Sequence, residues 1–306
     1  SAPYHDLYSG EEMPTPNRTE AERQTTHPVI RAMQQSRIGR AMSRPEARNL
    51  VLPTYLGLVK QIDDHLGRLF SELQHLGRSD DTLIVFTSDH GEYMGDHWMG
   101  EKDWINEEVV RVPMIIVDPR SEADVTRGTT SNELVEAVDL LPTFVEALGG
   151  ENVTRSQWLE GESLLPVLHG ESGTQREFAI CEADWGFLEM SNHLGPTNEP
   201  RRRRATMLRN TRYKYVLSEV GSNLLYDLDE DPNEQHDRLD DPSLASLVAE
   251  LHEQLFEWFR GRHHDTTYSD ERIKATAAPG GTAKRGIMIG YWDEEELAAG
   301  IRGELY

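Results

Sequence analysis

Three side chains between residues 82 and 103 have types and a spacing that suit chemistry on an anionic substrate. Asp89 and His90 follow an apolar run after two intervening residues, and Lys102 lies thirteen positions after Asp89. Carboxylate oxygens and imidazole nitrogens are common ligands of divalent metal ions, so the Asp-His pair is a candidate metal site. A loop of this length can fold back and bring the ammonium group over the same place, where it would meet an anion.

The element that must hold these residues is a strand predicted from Leu83 to Phe86. Four consecutive apolar residues are typical of a strand that a parallel sheet buries on both faces. Ligands in open α/β sheets bind just outside the carboxyl ends of strands, and Gly91 allows the chain to turn there. An isolated Asp-His pair is more often a turn cap beside a surface histidine, but the abrupt polar tip after the apolar run favours a functional site.

The same part of the chain carries a set of short motifs. They are Thr-Ser-Asp-His-Gly-Glu at 87–92, Gly-Asp-His at 95–97, Lys102, and Arg-Val-Pro-Met-Ile-Ile at 111–116. In this order the motifs resemble the C-terminal half of a sulfatase. Within the superfamily that sulfatases share with alkaline phosphatases, the resemblance is strongest to the phosphonate monoester hydrolase and arylsulfatase branch, and it extends through most of the chain.

The resemblance implies a role for each candidate residue. Asp89 and His90 correspond to two metal ligands, and Lys102 to the lysine that contacts the transferred sulfuryl or phosphoryl group. His97 is a second candidate catalytic residue. Many sulfatases have asparagine at the position of His90. Because nitrogen ligands suit softer cations, the imidazole moves the expected ion from Ca²⁺ toward Mn²⁺, with Zn²⁺ and Fe²⁺ as further candidates.

The nucleophile that the resemblance implies is a formylglycine, made from Cys or Ser in a Cys/Ser-x-Pro-x-Arg motif. The segment Ser43-Arg-Pro-Glu-Ala has alanine in place of the arginine, and no proline follows Cys181, so neither residue is predicted to be the nucleophile. The paired aspartates of the family's first strand are also absent. We therefore expect the formylglycine and the remaining ligands upstream of Ser1, in a missing N-terminal half. Without that half, the chain is expected to be inactive and prone to aggregate.

The implied fold is an alkaline-phosphatase-like α/β sandwich. It has a large, mainly parallel sheet flanked by helices, and a smaller C-terminal domain of antiparallel strands and a helix. We assign residues 1–170 to the large domain, 171–262 to the small α+β domain and 263–306 to an extended tail that acts as an oligomerisation arm. Residues 1–45 show little periodicity. The predicted elements are helices at 46–76, 134–148 and 243–260 and strands at 83–86, 112–117, 177–181, 205–209 and 213–217.

Several polar groups are predicted to be structural. Asp139 is expected to cap or orient the turn before Pro142. The passage at 223–234 resembles the typical sulfatase C-terminal passage and is interpreted as a solvated acidic turn, because its spacing does not match an EF-hand. The adjacent histidines at 263–264 are interpreted as incidental, and the arginine run at 201–204 as a loop contact, a subunit contact or a rim that faces an anion.

The composition restricts the partners. The 306 residues carry a net charge of −23, which argues against general binding to nucleic acid or to a membrane surface. No apolar stretch approaches the roughly 20 residues of a membrane span, and a single cysteine excludes an internal disulfide. No signal peptide is recognisable, an absence that says little for a chain expected to start in the middle of a fold. The location is unknown, with the cytoplasm favoured. The expected partners are an anionic sulfate, phosphonate or phosphate ester and, in a homo-oligomer, further copies of the chain.

The sequence therefore predicts a metal-dependent hydrolase of sulfate or phosphonate/phosphate esters, with the C-terminal half of the site in this chain. Two alternatives stay open. A phosphatase-like or phosphoglycerate-mutase-like relative is disfavoured by the passage at 223–234. The other is a catalytically inactive binding or assembly subunit of the same fold. The sequence upstream of Ser1 would distinguish it from the hydrolase, because the hydrolase requires an Asp-Asp strand followed by the nucleophile motif there.

Overall fold

The architecture comes from a computed structural model, which describes residues 2–10, 13–150, 160–171, 176–185, 194 and 203–261. Its α-helices are α1 (Pro28–Gln35), α2 (Arg37–Met42), α3 (Pro45–His75), α4 (Glu107–Val110), α5 (Leu140–Ala147), α6 (Leu165–Leu168) and α7 (Ala245–Gly261). Its strands are β1 (Ile84–Thr87), β2 (Met114–Val117), β3 (Ala179–Asp184), β4 (Arg204–Arg209), β5 (Tyr213–Ser218) and β6 (Leu224–Asp227). The mixture of helices and strands confirms the predicted α/β class.

The longest helix, α3, has the start and stop signals that its sequence predicts. It begins with Pro45, whose missing N–H costs nothing at the first helical position. It is followed by Gly77, whose φ of +64° is the left-handed conformation that favours glycine. The N–H of Arg78 then donates to the carbonyl of Leu73 at 2.9 Å, which closes the helix end. The predicted helix and its glycine cap are confirmed.

The apolar stripe predicted along α3 is largely exposed. Val59, Ile62 and Leu69 have 48%, 52% and 52% of their surface accessible. Near its middle the helix is covered by the N-terminal segment, since the Tyr4 carbonyl lies 2.1 Å from the place a Cβ would take at Gly57. The sequence pattern thus identified an apolar face but not what packs on it.

The strand before the candidate site, β1, pairs with β2 in antiparallel register. Ile84 lies opposite Val117, and Thr87 lies opposite Met114. This pairing corrects the interpretation of β1 as a strand between parallel neighbours, at least on the side that β2 occupies. The reason is that a continuous apolar run reports burial and carries no information on strand direction.

The C-terminal part is an antiparallel sheet in the order β3-β4-β5-β6, with α7 packed on one face, as predicted in outline. Successive residues of a strand point to opposite faces. Leu208 therefore packs with Leu251 and Leu255 of α7, while Met207 and Val216 face the other side of the sheet.

That other side supports the candidate site. Tyr93, Met99 and Trp104, from the segment that follows β1, are at most 2% exposed and belong to one cluster with Met207 and Val29. Burying side chains of this size stabilises the fold by about 1.5–3 kcal/mol each. The segment after β1 is therefore fixed to the C-terminal sheet by apolar packing.

Five elements were not anticipated. Helices α1 and α2 lie in the region for which we expected little periodicity, and the short helices α4 and α6 lie in stretches for which no element was predicted. Strand β6 lies in the passage interpreted as a turn. The helix α1 has eight residues, and only three of them, Val29, Ala32 and Met33, are buried. Its amphipathic pattern is therefore very short. Patterns this short are hard to separate from chance.

The predicted domain boundaries at residues 170 and 262 stay predictions. The main core cluster joins residues from both sides of the first boundary, from Val29 to Tyr226. The tail at 263–306, including its histidines, lies outside the described residues. No described helix combines the length and the apolar character needed to cross a membrane.

Candidate active site

The candidate site lies where β1 ends. The Asp89 carboxylate accepts a 3.0 Å hydrogen bond from the N–H of His90, and the Ser88 hydroxyl donates to the His90 carbonyl at 2.8 Å. Partial desolvation opposes the charged form of Asp89. The hydrogen bond from His90 and the nearby positive charge outweigh this and hold the pKa of the Asp89 carboxyl below its ordinary value. Asp89 Oδ2 lies 3.4 Å from His90 Nε2, so one ion could contact both atoms.

Lys102 reaches the same place from the far end of the loop. Its Nζ lies 2.8 Å from Nε2 of His90. An ammonium can only donate, so Nε2 is the acceptor and the ring proton lies on Nδ1, which donates to the Gly91 carbonyl at 2.8 Å. This is the tautomer that a metal-binding imidazole needs, with its other nitrogen held by a backbone carbonyl. The expected return of the loop is confirmed, whereas metal binding stays a prediction.

The donor atoms fit part of the ligand set of a divalent ion. One carboxylate and one imidazole suit Mn²⁺, Zn²⁺ or Fe²⁺ better than Ca²⁺, which prefers oxygen ligands throughout. The side chains of Asp89 and His90 are 84% and 34% exposed, so further ligands could approach them. Among the described residues, no group of three or more His, Cys, Asp or Glu side chains could hold an ion. A complete site needs donors from elsewhere.

Gly91 fixes the start of the loop by close approach. Its N–H donates to the Val109 carbonyl at 2.8 Å. A Cβ at this position would lie 1.9 Å from the carbonyl oxygen of Glu108, so any side chain would push the loop away from α4. The turn itself needs no left-handed dihedral at Gly91, which refines the role that the sequence suggested.

The rest of the loop closes through backbone hydrogen bonds. The N–H of Tyr93 donates to the Glu101 carbonyl at 3.1 Å, and the N–H of Gly95 donates to the Met99 carbonyl at 2.9 Å. Within the loop, four residues other than glycine have φ between +46° and +63°, namely Met94, His97, Trp98 and Glu101. Each such residue costs on the order of 1–3 kcal/mol, so the surroundings must stabilise the loop.

His97 lies near the tip of the loop, and both of its ring nitrogens face carboxylates. Nδ1 lies 2.6 Å from Oε1 of Glu22, and Nε2 lies 3.3 Å from Oε2 of Glu108. Burial of the ring opposes its charge. The hydrogen bonds and charges of Glu108 and Glu22 outweigh this and raise the pKa of His97 to about 10. Among the described residues, the His97 ring thus contacts these glutamates and Asn17, and not the pair at the end of β1.

A second buried ion pair ties α4 to the C-terminal sheet. Lys214 of β5 is fully buried, and its Nζ lies 2.9 Å from Glu107 and 2.6 Å from Glu234. Glu234 also accepts the N–H of Glu107 at 2.6 Å. No sequence pattern pointed to this network, because a lysine between two tyrosines of a strand is typical of a solvent-facing position.

The passage at 223–234 is only partly the solvated turn that we predicted. Asp227 and Glu234 are both 3% exposed. Asp227 pairs with Arg212 at 2.6 Å, and Glu234 pairs with Lys214. The acidic residues are buried because cations from β5 and the turn before it meet them. An acidic cluster in the sequence does not reveal such partners.

The two rejected nucleophile candidates occupy structural positions. The Ser43 hydroxyl donates to the Gly39 carbonyl at 2.8 Å at the end of α2. Cys181 lies in β3, where burial raises the pKa of its thiol and so disfavours the reactive thiolate. Both positions agree with their rejection.

The structure also describes two further polar features of the sequence, Asp139 and part of the arginine run at 201–204. Asp139 is fully buried and accepts the N–H of Glu136 at 2.7 Å, so it orients the turn before Pro142 but makes no side-chain cap on α5. Of the arginine run, the structure describes Arg203, which is 4% exposed, and Arg204, which pairs with Asp184 at 3.3 Å. These two make contacts within the chain.

Comparison with known families decides the class of this fold. The family model described as Sulfatase matches residues 2–150. The model described as N-sulphoglucosamine sulphohydrolase, C-terminal, matches residues 95–260, which is more than half of the chain. The chain belongs to the sulfatase family. The two matches overlap at 95–150, the stretch that contains Lys102 and α4.

The chain covers only about half of each of two curated relatives. It is 34% identical over 291 residues to the multifunctional alkaline phosphatase superfamily protein PehA of Trinickia caryophylli, covering 89% of this chain and 54% of that protein. It is 26% identical over 278 residues to an arylsulfatase of Clostridium perfringens, covering 89% and 52%. The chain thus spans about half the length of these relatives.

Solved structures confirm the alkaline-phosphatase-like fold of the chain. The phosphonate monoester hydrolase of Agrobacterium radiobacter superposes with a TM-score of 0.72 at 26% identity, over 96% of this chain and 57% of that chain. The phosphonate monoester hydrolase SpPMH of Silicibacter pomeroyi gives the same TM-score and identity, over 86% and 53%.

Proposed function

We propose that this sulfatase chain carries the C-terminal half of the active site of a metal-dependent hydrolase of sulfate, phosphonate or phosphate esters. The observation that carries the proposal is the 2.8 Å contact of Lys102 with His90, beside Asp89 and at the end of β1. It is supported by the names of the relatives, which include an arylsulfatase and phosphonate monoester hydrolases.

Each of the three residues has a distinct task in this proposal. Asp89 and His90 hold a divalent ion, Mn²⁺ in the first place, and that ion would polarise the ester oxygens and the nucleophile. The Nδ1 bond to Gly91 keeps His90 in the tautomer that presents Nε2. Lys102 stabilises negative charge that develops on the transferred group or the leaving oxygen.

The single lone pair of Nε2 links the two tasks. It can accept the Lys102 ammonium or bind an ion, but not both. If Nε2 of His90 held an ion, Lys102 would be free to donate to a neighbouring anion. The 2.8 Å contact places Lys102 within reach of that position.

The nucleophile and the remaining ligands come, in this proposal, from an N-terminal half. The support is the length of the relatives, of which this chain spans about half, together with the exposed apolar surface that it presents. In addition to the exposed apolar residues of α3, Ile115 and Val117 of β2 are 57% and 44% exposed, and Leu148 is 89% exposed. Large apolar side chains left this exposed favour a surface that a further part of the protein covers. Association of further copies through 263–306 is proposed from the sequence alone.

The test is turnover by the full-length product of the gene with Mn²⁺. p-Nitrophenyl sulfate and p-nitrophenyl phenylphosphonate report the two ester classes. We expect hydrolysis of at least one, abolished by a chelator and restored by Mn²⁺. A folded, metal-loaded protein that hydrolyses neither ester, nor a phosphate diester, would favour the inactive binding or assembly subunit.

A further inference from the structure

The loop from Gly91 to Glu101 stands between the two halves of the candidate site. His90 directly precedes it and Lys102 directly follows it. The Tyr93 N–H donates to the Glu101 carbonyl, so a shift of the loop carries Lys102 with it. Whatever fixes the tip of this loop also fixes the distance between Lys102 and His90.

The tip is held from two sides. On one side lies the N-terminal segment, where the backbone of Asn17 makes two hydrogen bonds to the loop. The Asn17 carbonyl accepts the His97 N–H at 2.7 Å, and the Asn17 N–H donates to the side-chain Oδ1 of Asp96 at 2.8 Å. On the other side lies α4. The His97 side chain joins the two sides, since Glu22 belongs to the N-terminal segment and Glu108 to α4.

Only the charged imidazole satisfies both carboxylates. A neutral ring donates one hydrogen bond, and its second nitrogen would face a carboxylate with a lone pair. Glu108 Oε2 is buried, and the cation that faces it is His97 Nε2 at 3.3 Å. The Asn17 amide cannot replace it, because its Nδ2 already donates to Glu108 Oε1 at 2.8 Å and to the Asn233 carbonyl at 3.2 Å.

We propose that His97 is a positioning residue, whose imidazolium between Glu22 and Glu108 keeps the loop folded so that Lys102 reaches His90. The inference rests on the proposed function, because it concerns the geometry of the same pair. It assigns His97 no contact with substrate. The raised pKa of His97, about 10, agrees with a ring that stays charged throughout the neutral range.

The test is backbone hydrogen exchange in the full-length protein, measured by mass spectrometry on the peptide that spans 91–101 between pH 7 and 11. Rates are normalised to the intrinsic exchange rate at each pH. In the wild type we expect protection that persists at pH 7 to 9 and is lost as the pH rises through about 10. In Glu108→Gln the loss should move to lower pH, because one counter-charge is gone. An unchanged profile in Glu108→Gln would overturn the proposal.

A second variant keeps the test independent of that profile. His97→Gln should raise the exchange of the 91–101 peptide at least tenfold at pH 7, while the β4 peptide at 204–209 keeps its rate. His75→Gln is the matched control, because His75 is an exposed histidine 3.9 Å from Glu72 on α3, and it should change neither peptide. Wild-type exchange in His97→Gln would overturn the proposal. Asp89→Ala should leave the exchange rates of both peptides unchanged. A failure of the proposed hydrolase activity can therefore be distinguished from a failure of the role given to His97.

Discussion

Lys102 Nζ lies 2.8 Å from Nε2 of His90, although twelve positions separate the two residues in the chain. The contact shows that the loop after β1 folds back on its own start. It also fixes the imidazole tautomer, since the ammonium can only donate. A lysine and an imidazole lone pair in one small volume form a place where a cation and an anion can be bound side by side.

The first prediction concerns Lys102→Ala in the full-length protein. Losing a charge-assisted contact at the transition state is worth about 2–4 kcal/mol, so kcat/KM for anionic esters should fall roughly 30- to 1,000-fold. The bound metal should be retained. The control is Lys60→Ala, because Lys60 is a partly exposed lysine that pairs with Asp63 at 3.2 Å on α3. A wild-type rate in Lys102→Ala would make Lys102 a structural residue.

The second prediction concerns residues 1–306 expressed alone. The half-exposed Ile62 and Leu69 of α3 and Ile115 of β2 leave apolar surface in water, which invites association. We expect concentration-dependent aggregates without ester turnover, observed by light scattering and by assay. Ile62→Lys with Leu69→Lys should reduce scattering. Co-expression with an N-terminal half should restore solubility. A monodisperse, active fragment would refute the need for that half.

The third prediction is a pH dependence of stability at Asp118. Burial opposes its charge, but hydrogen bonds from Arg120 and His169 hold the pKa of this carboxyl well below its ordinary value. Because the pKa is lower in the folded state, the carboxylate stabilises the fold above the unfolded-state value of 3.8, and this stability is lost as the pH falls below it.

Asp118→Asn should therefore lower Tm at pH 7, by roughly 2–4 °C for each kcal/mol lost. The difference from wild type should shrink as the pH is lowered below about 4. Asp124→Asn is the control, since Asp124 is 64% exposed and pairs with Arg127. A Tm difference that is constant with pH would contradict the assignment of this effect to the charge of Asp118.

The fourth prediction concerns the buried Lys214. Lys214→Met leaves Glu107 and Glu234 without their shared cation, and breaking a buried pair in this way costs about 3–5 kcal/mol. The measurement is the free energy of unfolding in urea. Lys60→Met should cost about 0–1 kcal/mol, because its ion pairs are at the surface. Similar losses in both variants would contradict the role given to Lys214.

The sequence predicted those parts of the structure that follow from local patterns. The apolar periodicity and the glycine of α3, the strands β3 to β5, α7 and the return of Lys102 all appeared as expected. Each rests on the spacing of residues within one segment. The sulfatase motifs around Asp89 and His90 added the fold family.

What the sequence did not predict depends on contacts between distant segments. The antiparallel pairing of β1 with β2 is invisible in an apolar run, which reports burial alone. The partners of His97 and Lys214 lie 75 and 107 positions away, at Glu22 and Glu107. No spacing rule connects residues so far apart, so buried ion pairs of this kind emerge only from the structure.

The most direct test of the central claim is the metal content of the full-length protein, measured by inductively coupled plasma mass spectrometry after loading with Mn²⁺ and desalting. We predict one tightly bound divalent ion per chain in the wild type, and substoichiometric metal in Asp89→Ala and His90→Ala at unchanged folding by circular dichroism. Lys102→Ala should retain the ion. Wild-type metal content in the Asp89→Ala and His90→Ala variants would contradict the placement of the site at the end of β1.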